Sequence, residues 1–311
     1  MDDSEVKIQQ EISLGQFCGV FKGTYKEQPV AVEEFLSTIP LRDKRKIKQE
    51  AKSLLNLDHS NIIKFFGILS RRCAIVTQLL EKQIVVEDEQ IWVNGVRGLL
   101  DNVEDNFDWR VRIKIAWNSA KALRYLHTRS IIHADVKAAN FFLGGGTSPE
   151  FNVKLGDFGE AVRACKTWTT VTTSVQFTGD KKDDRKRAGT LPLIAPELFS
   201  IGSKPTAESD VFSFGMYLVE LMIPSQAHPW SADCYSPDVI PSLIRDEKRP
   251  SLPKLTGTSR LESQLFISAI EESWKSEPRS RLSMEAMEDS LCKGVSTSKK
   301  DLETERGQFL F

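Results

Sequence analysis

The stretch His133-Ala134-Asp135-Val136-Lys137-Ala138-Ala139-Asn140 crowds a carboxylate, an amine and an amide into one short loop, and Asp157-Phe158-Gly159 and then Ala195-Pro196-Glu197 follow it. Ahead of it, apolar and polar residues alternate from Val6 to Val32, punctuated by Gly15, Gly19, Gly23 and the turn signal Gln28-Pro29. That pattern predicts successive antiparallel strands. Charged Arg42 to Lys48 lead into Ile47, Ala51, Leu54, Leu55 and Leu57 at helical spacing, and Asp58-His59-Ser60-Asn61 should end that helix. Residues 62–69 and 73–80 are two further strand-like runs. Behind the loop the chain is helix-rich, with helical periodicity over 109–127, 209–223, 261–274 and 283–291, the second of these offering Ser209 and Asp210 as caps.

Between the two regions, residues 81–108 carry eight Asp/Glu against Lys82 and Arg97, and two apolar triplets flank Glu87-Asp88-Glu89. This reads as an inserted acidic hairpin, either a solvated surface or a partner site. The whole chain has 311 residues, 40% hydrophobic and 27% charged, which is ordinary globular composition with ample material for a core. Forty-two Lys+Arg nearly cancel 43 Asp+Glu, so net charge gives no reason to expect nucleic acid or an anionic membrane as partner. The start is acidic rather than a secretory signal, and the longest apolar stretch, 211–223, is interrupted by Ser213, Gly215 and Glu220. A soluble, cytoplasmic chain is the expectation. Five scattered cysteines without metal-ligand spacing are expected to be reduced and mostly buried.

The loop matches H-x-D-x-K-x-x-N, and with D-F-G and A-P-E behind it in order the chain resembles the protein kinase superfamily. Any one triplet arises by chance; the ordered set behind a strand-rich region is specific. The resemblance covers about residues 8 to 292. Ser209-Asp210-Val211-Phe212-Ser213-Phe214-Gly215, Trp274 and Pro278-Arg279-Ser280-Arg281 are similar to landmarks of the tyrosine-kinase-like group of Ser/Thr protein kinases. It implies an α+β, bilobal fold: a five-stranded antiparallel sheet with helix C at 8–80, a hinge insertion at 81–108, a larger helical lobe at 109–292, and a polar, frayed tail at 293–311.

The resemblance also implies ATP and Mg2+ as cofactors and proteins as substrates or signalling partners. Phosphoryl transfer asks for positioning and charge neutralisation, and hard oxygen ligands suit the metal. By resemblance, Asn140 and Asp157 are the metal ligands, Asp135 accepts the substrate hydroxyl proton, and Lys137 neutralises charge on the transferred phosphate. Lys137 two residues after Asp135, with Gly189-Thr190 ahead of the A-P-E motif, resembles the Ser/Thr pattern. Nucleotide contacts would come from Gly15 and Val20 in the glycine-rich loop, from Ala31, from Thr77 as a buried gatekeeper, from hinge residues Gln78, Leu79 and Leu80, and from Phe142 under the adenine. His133 and Phe158 are expected to pack, Glu197 and Arg281 to form a buried ion pair, and Asp210 to anchor the loop backbone.

Several positions depart from the family pattern. The V-A-x-K motif appears as Val30-Ala31-Val32-Glu33, with Glu33 where a lysine contacts the α- and β-phosphates. Helix C is expected to set Glu50 against it, and two carboxylates ~4 Å apart repel by roughly 4 kcal/mol at an effective dielectric near 20. Lys22 and Lys26 are the candidate replacements, though both are expected to face solvent. Ser13, Gly15 and Cys18 fall at the three glycine positions of the phosphate loop, so only the middle one keeps its glycine. Ala134 replaces the arginine that reads an activation-loop phosphate. Residues 157–197 hold seven hydroxyls between Thr167 and Thr178 and then a basic run, which reads as a solvated loop or as a phosphorylation or docking site. Two functions follow: a Ser/Thr protein kinase of low or atypical activity, or a pseudokinase that acts as a scaffold or allosteric switch.

Overall fold

A computed structural model describes residues 1–14, 18–35, 51, 54–86, 89–103, 108–148, 150–163, 190–200, 202–223, 228–233, 235, 238–253 and 260–304. The N-terminal strands are β1 (Val6–Leu14), β2 (Cys18–Tyr25), β3 (Gln28–Phe35), β4 (Phe65–Leu69) and β5 (Ala74–Gln78). They form one antiparallel sheet in the order β1-β2-β3-β5-β4, in which β1 to β3 are the successive antiparallel strands expected from the alternation. Side chains alternate faces along a strand. Val30, Val32 and Val76 therefore bury with Val6, Leu69 and Ala74 on one face, and Ala31, Glu33 and Thr77 project from the other. Gly23 is fixed by close approach: a Cβ there would stand 2.8 Å from the Lys7 carbonyl oxygen. The segment expected to hold most of helix C, including Glu50, lies outside the described residues.

The acidic insertion is a hairpin of β6 (Lys82–Val86) and β7 (Glu89–Val93) followed by α1 (Val96–Asn102). Its Lys82 is buried, and the amine donates to the Ser148 carbonyl at 2.6 Å, tying the hairpin to the second lobe. That lobe is built on α2 (Trp109–Thr128), capped by the Asp108 carboxylate accepting from the Arg110 amide at 2.8 Å. Short strands β8 (Ile131–Ile132), β9 (Phe141–Gly144), β10 (Asn152–Leu155) and β11 (Val162–Arg163) follow, β8 pairing with β11 and β9 with β10. Helices α3 (Ala207–Glu220), α4 (Ile240–Arg245), α5 (Arg260–Ser273) and α6 (Met284–Thr304) complete it. At Gly215 a Cβ would stand 2.6 Å from the Ser273 Cβ, so the missing side chain lets α3 and α5 close on one another.

Three expectations are corrected. Thr206, not Ser209 or Asp210, caps α3, through a capping box in which Thr206 and Ser209 exchange side-chain bonds. The last helix does not stop near residue 292: it runs to Thr304, because its apolar stripe continues from Met284, Met287 and Leu291 to Val295. Cys18, Cys73 and Cys292 form no disulfide and are half-buried rather than buried, and Cys165 and Cys234 lie outside the described residues. Among the described residues no helix is long and apolar enough to cross a membrane.

Candidate functional site

The site grows from the loop between β8 and β9. Asp210, buried in the first turn of α3, accepts from the backbone amides of His133 and Ala134, both at 2.8 Å, and lies 2.9 Å from the His127 ring. These bonds hold Ala134 in the left-handed region at φ 65°. His133 packs edge-on to Phe158 at 5.3 Å between ring centres and bonds the Gly156 carbonyl at 3.0 Å, which are the packing roles expected for both residues. The Arg281 guanidinium, fully buried, grips Glu197 with two bonds of 2.7 and 2.8 Å; Glu197 itself stays partly exposed.

On that frame Asp135, Lys137 and Asn140 converge. The Lys137 amine donates to Asp135 Oδ2 at 2.6 Å and to Thr190 Oγ1 at 3.1 Å, and the Thr190 hydroxyl donates to Asp135 Oδ1 at 2.9 Å. Burial works to raise the Asp135 carboxyl's pKa, but the bonds from Lys137 and Thr190 and the charge of Lys137 outweigh it and hold the group below its ordinary value. Asp135 is thus an ionised acceptor at neutral pH. The Asn140 amide nitrogen donates to the Asp135 carbonyl at 2.8 Å and to its carboxylate at 3.1 Å, which turns the amide oxygen the other way. The Gly156 amide donates to the Asn140 carbonyl at 3.0 Å, placing Asp157 beside Asn140 with φ 54° and an exposed carboxylate.

The oxygens of Asn140 and Asp157 are the groups that could take a metal ion. Among the described residues no cluster of three or more His, Cys, Asp or Glu forms a site on its own. Such a sparse donor set fits a divalent cation that takes its other oxygens from phosphates and water.

The ceiling of the cleft comes from β2 and β3. Cys18, Val20 and Lys22 stand opposite Phe35, Glu33 and Ala31, so Val20, Ala31 and Glu33 share one face. Thr77 lies opposite Ala31 and is half-buried, not the buried gatekeeper expected. The hinge residues Gln78, Leu79 and Leu80 follow it, Leu80 buried against Gly144. On the floor, the Phe142 ring lies against Gly156, so close that a Cβ there would stand 2.8 Å from it. Gly15 lies outside the described residues.

Glu33 lies in the field of a carboxylate that the sequence did not point to. Burial raises the Glu33 carboxyl's pKa, the charge of Asp157 raises it further, and a hydrogen bond with Cys18 opposes them. Neither candidate lysine reaches this corner. The Lys22 amine is bound to both Glu81 oxygens, at 2.9 and 3.1 Å, and Lys26 sits in the β2–β3 turn with its amine 5.1 Å from the Tyr25 ring centre.

Sequence reasoning also missed Glu220, which accepts from the Ala138 amide at 2.9 Å beneath the loop and lies 3.8 Å from Arg97 of α1. Burial pushes its carboxyl up to about 7. A glutamate closing the apolar run at the C-terminal end of α3 was the available signal.

The comparisons agree with this geometry. A family model described as protein tyrosine and serine/threonine kinase matches residues 6–291. A probable serine/threonine-protein kinase of Dictyostelium discoideum is 32% identical over 234 residues, 71% of this chain and 48% of its own length. A putative serine/threonine-protein kinase/receptor of Acanthamoeba polyphaga mimivirus is 28% identical over 281 residues, 89% of this chain and 16% of its own. A second probable serine/threonine-protein kinase of Dictyostelium discoideum is 27% identical over 248 residues, 70% of this chain and 30% of its own. The chain spans about half or less of the length of these relatives. With the model covering nearly the whole chain and the loop geometry in place, the chain belongs to the protein tyrosine and serine/threonine kinase family.

Proposed function

We propose that this domain binds ATP with Mg2+ and transfers the γ-phosphate to serine or threonine of proteins, slowly, because Glu33 stands where the family places a phosphate-contacting lysine. The observation that carries the reading is the assembled set of Asp135, Lys137, Thr190 and Asn140, joined by bonds of 2.6 to 3.1 Å. Asp135, held ionised, would orient a substrate hydroxyl and take its proton; Lys137 would offset charge on the phosphate in flight. Asn140 and Asp157 would hold the metal, which supplies charge neutralisation along the phosphates. Thr190, bridging Asp135 and Lys137, supports a Ser/Thr acceptor.

The slow turnover rests on Glu33. Losing one preorganised electrostatic contact costs a factor of about 10² to 10³ in rate, and a carboxylate in its place costs more. The proximity of Glu33 to Asp157 also favours the second reading, a pseudokinase that binds metal-nucleotide as a scaffold or switch without efficient transfer. The deciding experiment measures Mg-ATP binding and radiolabel transfer to a general protein substrate for wild type and Asp157→Ala. Transfer by wild type that Asp157→Ala abolishes supports the kinase reading. Binding without transfer supports the pseudokinase as a nucleotide-dependent switch, and no binding defeats the kinase and the switch and leaves the pseudokinase as a scaffold.

A further inference from the structure

A pocket of about 280 Å3 opens where the loop 57–62 meets Lys64, Gln78 and Lys154. It is not part of the cleft. Gln78 stands opposite Val30 in the β3–β5 ladder, on the sheet face away from Ala31 and Glu33. A second pocket of about 280 Å3 shares Lys64 and Gln78 with the first and is bounded by Pro29, Phe66 and Leu79. The two form one groove, basic at the first end and apolar at the other.

The basic end is short of negative charge. The Lys154 amine donates to the Ile62 carbonyl at 3.2 Å, one acceptor for a group with three donors. Burial lowers its pKa, neighbouring Lys64 lowers it further, and Asp58 opposes them. Lys64 is exposed, with its amine 5.2 Å from the Phe66 ring centre. His59 accepts from the Asn61 amide at Nδ1 (3.1 Å) and stacks on Tyr125, so its neutral ring presents an Nε2 donor. Burial lowers the His59 pKa first, and Lys121, Lys154 and Arg129 act in the same direction against Glu288, which is itself held by Arg124. Among the residues that line the pocket, the two cations Lys64 and Lys154 stand with one anion, Asp58, a surplus of one positive charge.

We infer that this groove docks an extended segment of a partner protein through a phosphorylated side chain seated between Lys64, Lys154 and the His59 ring. A phosphomonoester carries about −1.5 to −2 charge and three acceptor oxygens, one for each of the donors Lys64, Lys154 and His59, whereas a single carboxylate has two oxygens. The apolar end beside Pro29, Phe66 and Leu79 gives the flanking residues a surface, so a peptide suits the groove better than a free ion. A lipid headgroup plane suits it least, because Lys154 is half-buried in a recess rather than displayed on a projection.

The test is fluorescence anisotropy of the whole chain with a labelled pool of ten-residue peptides, randomised around a central phosphoserine, beside the same pool carrying serine or aspartate. The phosphorylated pool should bind roughly tenfold tighter than either control. Lys64→Glu should abolish that preference while the melting temperature stays at the wild-type value, since Lys64 is exposed. Lys154→Gln, which keeps a donor for Ile62, should weaken it. Inorganic phosphate should compete and Mg-ADP should not. Equal binding of the three pools, an unaltered preference in Lys64→Glu, competition by Mg-ADP, or tighter binding to phosphatidylserine vesicles than to the peptides overturns the inference.

Discussion

Replacing Glu33 by lysine reverses one charge at the corner where β3 meets Asp157. In the wild type this corner holds two carboxylates, and burial together with the Asp157 charge drives the Glu33 carboxyl toward its protonated form. An ionised carboxylate at this corner repels Asp157, and an ammonium at the same place turns that repulsion into attraction. The neutral variant Glu33→Gln removes the repulsion without supplying a cation, so the two substitutions separate the effects. Glu33→Gln should raise the melting temperature and the affinity for Mg-ADP but leave transfer slow. Glu33→Lys should raise single-turnover transfer from radiolabelled ATP by a factor of about 10² to 10³, the usual worth of one preorganised contact. Asp157→Ala in the Glu33→Lys background should abolish the gain. A Glu33→Lys protein that melts like the wild type, binds Mg-ADP and still transfers no faster would refute the reasoning, because the missing cation would then not be what limits the chemistry.

Three further outcomes follow from the same geometry. Ala134→Gly relieves a left-handed backbone at φ 65° and should stabilise the fold by up to about 1 kcal/mol, read as a rise in denaturation midpoint; a fall would mean that the buried methyl group outweighs the strain. Glu220 keeps its proton in the folded state up to about 7 against an ordinary 4.5, so its contribution is complete at low pH and is lost as pH rises through that window. The loss is about 3 kcal/mol by linkage, and Glu220→Gln should remove this component from a stability series between the two values. Glu197→Ala strands the buried Arg281 guanidinium and should cost about 3 kcal/mol in urea denaturation, whereas a value near zero would show the pair to be solvated.

The fold was legible because kinase motifs are loop signatures with a fixed order, and each marks an element that the structure then supplies around it. The charge logic of the cleft was legible only in part. Motif spacing predicted that Glu33 would lack a cationic partner, but it suggested Glu50 as the opposing group, which lies outside the described residues, and it could not show that the charge of Asp157 in the second lobe acts on Glu33. That influence depends on how the lobes close, and nothing local in β3 encodes it. Lys22 illustrates the same limit. Strand alternation puts it on the cleft face beside Val20, as a relocated lysine would need, yet Glu81 at the hinge captures its amine at 2.9 Å. The capture has a consequence for function. With Lys22 committed to the hinge and Glu33 in the field of Asp157, neither candidate lysine supplies a cation near Asp157, and a metal ion held by Asn140 and Asp157 would be the main positive charge there besides Lys137. Nucleotide affinity should therefore depend more steeply on divalent cation than in a domain with the usual lysine, and Glu33→Lys should flatten that dependence in a titration of ADP binding against Mg2+. A wild-type protein that binds ADP equally well with and without the metal would refute this account of the cleft.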